Sequence, residues 1–308
     1  MVDIKEIAEN IHMIDNHLYS IPKWGSVYLV NEEKKALIDA GPTTSVGTVL
    51  DGIKKAGVRP EEIDYLIVTH IHLDHAGGAG VLIQDMPCAK VVVHHKGARH
   101  LVNPAKLVSS VIAAQGEGVM RLLGEVVPLE MERVMPISGG DVIELSKKQI
   151  LRFIDAPGHA SHELCIYESR NNGLFSGDAV GISVAENEIL LPVTPPPGFD
   201  LELYLDTLKR LMALKATALY FAHFGVRNKV QEDLQLARDK LRVWDDLIAK
   251  AVKKDGFGGA AEKLKTQLYK ELEPVRKMES LYKYLTEGLV PLNVAGYMQY
   301  YQEKREAS

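Results

Sequence analysis

Apolar and polar positions alternate along the chain in two different rhythms. Val27–Val30 and Ala36–Asp39 are short apolar runs joined by the polar turn 31–35, and they predict neighbouring strands. Val46, Val49, Leu50 and Ile53 recur at helical spacing, and Gly57 and Pro60 close that segment, so 46–56 is expected to be a helix. Tyr65–Thr69 and Val91–Val93 read as further strands, and Gly97–Leu123 as a long helical stretch. Strand-like pieces return at Val142–Leu145, Ile150–Ile154, Leu164–Tyr167 and Leu174–Ser176. Strands interspersed with helices predict an α/β sandwich with its short loops gathered at one edge.

The rhythm changes after Leu190. Leu191–Gly198 contains four prolines and can be neither helix nor central strand. Beyond it helical spacing dominates, over Leu201–Leu214, Lys229–Lys254, Gly259–Leu272 and two segments after Pro274. One strand, Ala218–Ala222, interrupts and ends at His223. The expected organisation is a domain over 1–225 followed by a helical cap or dimerisation region over 226–308.

Composition narrows this picture only modestly. The 308 residues are 46% hydrophobic and 25% charged, with a net charge of −5, which suits a soluble globular protein and not a nucleic-acid binder. Cys88 and Cys165 are far apart and form no metal-knuckle or disulfide pattern. Neither a signal peptide nor the roughly 18-residue apolar run of a membrane span is evident. The expected location is cytoplasmic, with no nucleic-acid or membrane partner.

The chemistry concentrates in Thr69-His70-Ile71-His72-Leu73-Asp74-His75, directly after an apolar strand. In extended chain His70 and His72 project to one side, while Asp74 and His75 on the following turn can address a second point. Imidazole and carboxylate together suit Zn, Fe or Mn in open, water-bearing sites. Such groups fit poorly into a core unless something pairs them. His162 is expected to point away from His159 to the surface, and His94, His95 and His100 to be ordinary solvated histidines. The loop His17–Gly25, with Tyr19 and Trp24, is a candidate substrate mouth. The Met and Tyr positions of the C-terminal helices, from Met278 to Tyr301, read as core or dimer interface.

The H-x-H-x-D-H run resembles the signature of the metallo-β-lactamase superfamily, and further motifs follow in that family's order. They are Leu37-Ile38-Asp39-Ala40-Gly41, Ala156-Pro157-Gly158-His159, Phe175-Ser176-Gly177-Asp178 and Ala222-His223-Phe224-Gly225. The resemblance covers about residues 25–225. It implies an αββα sandwich with a C-terminal helical appendage and two divalent metal ions, Zn first, with Fe and Mn as alternatives. It assigns His70, His72 and His159 to one metal and Asp74, His75 and His223 to the other, with Asp178 bridging. Asp39 would support the site from behind, and Asp74 and Asp178 would be the catalytic carboxylates. Two cations sharing a water lower its pKa, so no Ser or Cys nucleophile is needed.

The substrate is less legible. Asp178 is followed by Ala179-Val180-Gly181, where homoserine lactonases of the family usually carry a Tyr. The glutathione-binding residues of the glyoxalase II branch are not recognisable. A long helical C-terminal region is similar to the acyl-thioesterase members. The resemblance therefore implies a hydrolase of carbonyl esters, with a small-acyl thioester such as an acyl-CoA as the first choice. The proline-rich loop and helical cap would form the acyl pocket. The alternatives are a phosphodiesterase or lactonase, or a non-enzymatic metal-binding regulator. A homodimer would form through the C-terminal helices.

Overall fold

The computed structural model describes residues 2–184 and 189–306. Its strands are β1 (Ile4–Ala8), β2 (Ile11–Asp15), β3 (Ser26–Asn31), β4 (Lys35–Ile38), β5 (Ile63–Ile67), β6 (Lys90–His94), β7 (Val134–Ile137) and β8 (Val142–Glu144). They continue with β9 (Ile150–Asp155), β10 (Leu164–Glu168), β11 (Gly173–Gly177), β12 (Ile182–Val184), β13 (Ile189–Leu191), β14 (Ala218–Phe221) and β15 (Val226–Arg227). One seven-stranded sheet has the order β1-β2-β3-β4-β5-β6-β7, and a six-stranded sheet the order β15-β14-β11-β10-β9-β8. β12 and β13 pair only with each other.

The period-two pattern of the strands builds the layers. Tyr28, Val30, Ile38, Ile67 and Val92 face the second sheet and pack with Phe153, Leu164, Ile166, Phe175 and Tyr220. Their neighbours Val27, Leu29, Leu37, Leu66, Val91 and Val93 face outward and pack on Val49 and Ile53 of the helix Val46–Lys55. On the far side, Cys165, Leu174, Leu219 and Phe221 pack against Leu208 of helix Leu201–Ala213 and against Leu241, Trp244 and Ile248. The result is helices outside two stacked sheets, the αββα arrangement, with both sheets buried on both faces.

Strand direction then gathers the loops. β4, β5 and β6 run parallel in the first sheet, and β11 and β14 run parallel in the second. β9 pairs antiparallel with β10, and β10 antiparallel with β11, so β9 and β11 end at the same edge. The carboxyl ends of β4, β5, β9, β11 and β14 deliver Asp39, His70, His159, Asp178 and His223 in turn.

One local feature departs from the expected elements, and a second agrees with them. The stretch 97–123 is broken into helices His95–Val102 and Ala105–Gln115, followed by short turns to Leu123. Pro104 cannot continue the first helix, and Gly116, at φ 81°, terminates the second. In the C-terminal region, Val230–Leu268 is helical on either side of a break at Gly256 (φ 68°, ψ −165°).

The proline-rich loop is tied to the last helix, Val290–Glu306. Thr194 donates its N–H to Asn293 Oδ1 (2.7 Å) and its hydroxyl to Asn293 O (3.2 Å). The backbone of Gly296 lies so close that a Cβ there would fall 1.8 Å from the carbonyl oxygen of Thr194.

Candidate metal centre

His70 and His72 follow β5, and Asp74 and His75 occupy the single helical turn Leu73–Ala76. That turn, together with the loops after β9, β11 and β14, brings the seven expected side chains into three overlapping groups. They are His70, His72 and His159; His70, His75 and Asp178; and Asp74, His75 and His223. Within each group the donor atoms lie no more than 4.8 Å apart.

The rings of His159 and His75 are aimed from behind. His159 Nδ1 donates to the carbonyl of Val193 at 2.9 Å, which fixes its tautomer and leaves Nε2 as an acceptor 2.9 Å from His72 Nδ1. His75 Nδ1 lies 3.2 Å from Asp39 Oδ2, and its Nε2 is 3.6 Å from Asp178 Oδ1. Asp39 also accepts from Thr69 N–H (2.7 Å) and from the Thr69 hydroxyl (3.0 Å). To make these contacts Asp39 adopts φ 63°, and Phe224 beside His223 adopts φ 54°. Non-glycine residues hold such angles only where surrounding contacts enforce them, and they concentrate at functional sites.

The donor set fits a cation. His70 Nε2, His75 Nε2 and Asp178 Oδ1 are buried and have no hydrogen-bond partner among the described residues. Leaving such atoms unsatisfied costs about 1–3 kcal/mol each, and a metal ion would supply the missing partner. Burial, reinforced by the neighbouring imidazoles, pushes His70 well below the usual histidine range. Burial and His159 push His72 down to about 3, and burial pushes His159 down to about 3. Neutral imidazole is the form that binds metal. At the other end burial opposes charge on His75, yet Asp74 and Asp178 push it up to about 10. Burial likewise opposes charge on Asp74, but His75 and His223 hold its carboxyl well below the usual range. The carboxylates gathered at this end suit it to a cation.

Two supporting residues carry no sequence signal. Glu163 accepts the N–H of Asp178 at 2.6 Å and stands 3.7 Å from His70 Nδ1. Burial and the charge of Asp178 push its carboxyl well up. The hydroxyl of Tyr204 donates to the carbonyl of Asp178 at 2.6 Å. Both grip the Asp178 backbone from elements remote in sequence.

A cavity of about 460 Å³ opens over the cluster. Trp24 and Tyr19 line it, and the Trp24 ring packs on His223 with centroids 4.9 Å apart. Three expectations need correction. His162 is no surface residue: it lines the cavity, with its ring 5.7 Å from that of His72, because the chain turns back before β10. His94 is buried, accepts from Lys96 N–H and lies 3.2 Å from Asp155 Oδ1, acidic company that only the fold supplies. Tyr284 belongs to the cavity wall, 5.4 Å from Trp24, whereas Tyr297 and Tyr300 are core.

A stacked-sheet sandwich with a His and Asp cluster at the carboxyl ends of its strands has the build of a metal-dependent hydrolase. The chain belongs to the metallo-beta-lactamase superfamily, whose family model matches residues 25–223. It is 28% identical over 280 residues to the metallo-beta-lactamase fold-containing protein ST1585 of Sulfurisphaera tokodaii, spanning 88% of this chain and 97% of that one. It is 25% identical over 245 residues to an N-acyl homoserine lactonase of a Bacillus species, covering 70% of this chain and 85% of the relative. The solved structure of the metallo-beta-lactamase family protein TTHA1429 from Thermus thermophilus superposes with a TM-score of 0.67 at 19% identity, over 91% and 89% of the two chains. Members of the superfamily are predominantly metal-dependent hydrolases, and the His and Asp groups of this chain could hold metal. No described helix is long and apolar enough to cross a membrane.

Proposed function

We propose that the chain is a two-metal hydrolase of carbonyl esters, with thioesters of small acyl groups as its first substrates. His70, His72 and His159 would hold one ion and Asp74, His75 and His223 the other, with Asp178 between the two sets. The observation that carries this reading is the convergence of buried, unpartnered donor atoms beneath an open cavity. When bound, two such ions supply an acidified water and an electrophilic contact for the substrate's oxygen. Zn is the proposed metal, and Fe and Mn suit the same ligands.

The protein's own groups account for the rest. Asp74 is the most exposed of the ligand carboxylates, at 20% against 3% for Asp178. It is therefore placed to take a proton from the attacking water and return it to the leaving group. In a thioester the carbonyl C–S bond breaks as a C–O bond forms, and the departing sulfur leaves as thiolate or, with that proton, as thiol. Val193, Pro195, Leu289 and Leu292 give the cavity an apolar wall where an acyl group would lie. Trp24 covers His223 and keeps bulk water from that ligand.

The lactonase relatives act, by their name, on a cyclic ester, which is the same carbonyl chemistry. Paired assays of metal-loaded protein test the reading. Hydrolysis of acetyl-CoA or p-nitrophenyl acetate is expected, with at most slow turnover of bis-p-nitrophenyl phosphate. Turnover of the phosphodiester alone would remove the carbonyl-ester assignment. An inert protein that still binds metal would favour a regulatory role.

A further inference from the structure

The cavity over the metal cluster carries a second, chemically distinct group. Lys96, Arg99 and His100 come from helix His95–Val102, and Lys106 comes from helix Ala105–Gln115. Asp74 and Asp178, both in the metal cluster, are the only carboxylates among the described residues of the wall. Lys96, Arg99 and Lys106 form no ion pair with any described carboxylate, although the chain has 41 acidic residues to 36 basic ones. Arg99 Nε points at His100 Nε2, 3.2 Å away, and Lys96 Nζ lies 3.4 Å from the carbonyl of Ser161. Burial and then the charges of Arg99 and Lys106 push His100 down, as expected for cations gathered around one ring.

The cluster is held at fixed reach of the metal ligands. A Cβ on Gly97 would fall 2.6 Å from Ile71 Cγ2 and 3.7 Å from the His162 side chain. Helix His95–Val102 is thus seated directly on the His70–His72 segment. Like charges collected in a concave wall raise the local potential and draw an anion to it. Outside the metal cluster, the described remainder of the wall is neutral or apolar.

We propose that Lys96, Arg99 and Lys106 form an anion subsite that selects ester or thioester substrates bearing a carboxylate or a phosphate group away from the scissile carbonyl. This rests on the carbonyl-ester reading above and adds the charge of the substrate to it. Arg guanidinium can grip either anion through two parallel N–H bonds, and the lysines add point charges. His100 and His162 complete the wall between this subsite and the metal ligands.

The test uses metal-loaded wild type and an Arg99→Glu, Lys106→Glu double variant, both changes being at exposed positions. Three thioesters are compared: acetyl-N-acetylcysteamine, which is neutral, succinyl-N-acetylcysteamine, which carries a carboxylate, and acetyl-4′-phosphopantetheine, which carries a phosphate. The double variant is expected to keep its rate on the neutral substrate within about twofold. Its kcat/KM on at least one anionic substrate should fall at least about tenfold through KM, the scale of one lost charged contact. The substrate that suffers identifies the anion. An equal change on all three, or no change on any, overturns the subsite. Calorimetric binding of 4′-phosphopantetheine and of succinate to metal-free wild type and variant reads the subsite without turnover. Binding weakened about tenfold in a protein that cleaves neither these thioesters nor p-nitrophenyl acetate would sustain the subsite and sink the carbonyl-ester reading. Unaltered binding together with good turnover would do the reverse.

Discussion

Replacing Asp178 by alanine is expected to remove metal and hydrolysis together. Asp178 Oδ1 stands 3.6 Å from His75 Nε2 and 3.7 Å from His223 Nε2, while Oδ2 stands 3.6 Å from His159 Nε2. Among the described residues it is thus the one carboxylate whose oxygens face imidazoles of both proposed ligand sets. Without it, the imidazoles of the two sets face one another with no bridging anion, and two cations could be held close only against their full mutual repulsion. Thioester turnover should fall at least about a thousandfold, a loss of roughly 4 kcal/mol in transition-state stabilisation. Elemental analysis of the same preparation should show depleted metal. Retained metal with an unchanged rate would refute the ligand assignment.

The second large effect is expected at a residue with no side chain. Gly158 precedes His159 and adopts φ 140°. A Cβ there would fall 2.3 Å from Tyr204 Cα and 2.6 Å from Tyr204 N, backbone atoms that cannot swing aside. The helix carrying Tyr204 is anchored on both sides of that contact, before it by Asp200 N–H donating to Gly158 O at 2.9 Å. Thr207 donates to Pro157 O at 2.7 Å, and Arg210 Nη1 donates to Asp155 O at 3.0 Å. Gly158→Ala should therefore cost about 2–4 kcal/mol by overpacking and backbone strain. It should also weaken metal binding, because Tyr204 grips Asp178 and His159 follows directly. Gly47→Ala is the natural comparison: nothing lies within 4 Å of its Cβ position, and alanine favours the helix by up to about 1 kcal/mol. Thermal melts that fall for the first and hold or rise for the second would bear this out. An unshifted melt for Gly158→Ala would show that the helix can yield.

The contrast between these two glycines shows what local sequence can carry. The His70–His75 run is legible because its donors follow an apolar strand, whereas Asp39, His159, Asp178 and His223 are expected only from motifs that resemble those of the superfamily. The helices Val46–Lys55 and Leu201–Ala213 are legible through spacing, and the structure adds the Asp200 side chain, which caps Leu203 N–H. Other strands carry no clear alternation, for physical reasons. β1 is a half-exposed edge strand, and β7 contains Pro136, which an edge position tolerates. β12 and β13 are three residues each.

Residues whose role comes from distant partners gave no signal at all. Glu163 reads as an ordinary charged residue beside a strand, yet it is buried against the Asp178 backbone. Strand alternation points His162 away from His159, but the segment turns before β10 and brings it to the cavity. Tyr284 lay in an aromatic-rich helical region whose periodicity suggests core, and only the packing of Trp24 brings it to the cavity. Lys96, Arg99 and Lys106 span a helix break at Pro104, so no single periodic pattern places them on one wall.

Anomalous diffraction from crystals of metal-loaded protein tests the central claim most directly. Two peaks about 3.5–4 Å apart are expected on either side of the Asp178 carboxylate. One should lie within bonding distance of His70, His72 and His159, and the other of Asp74, His75 and His223. A single peak, or peaks away from Asp178, would contradict the two-metal account.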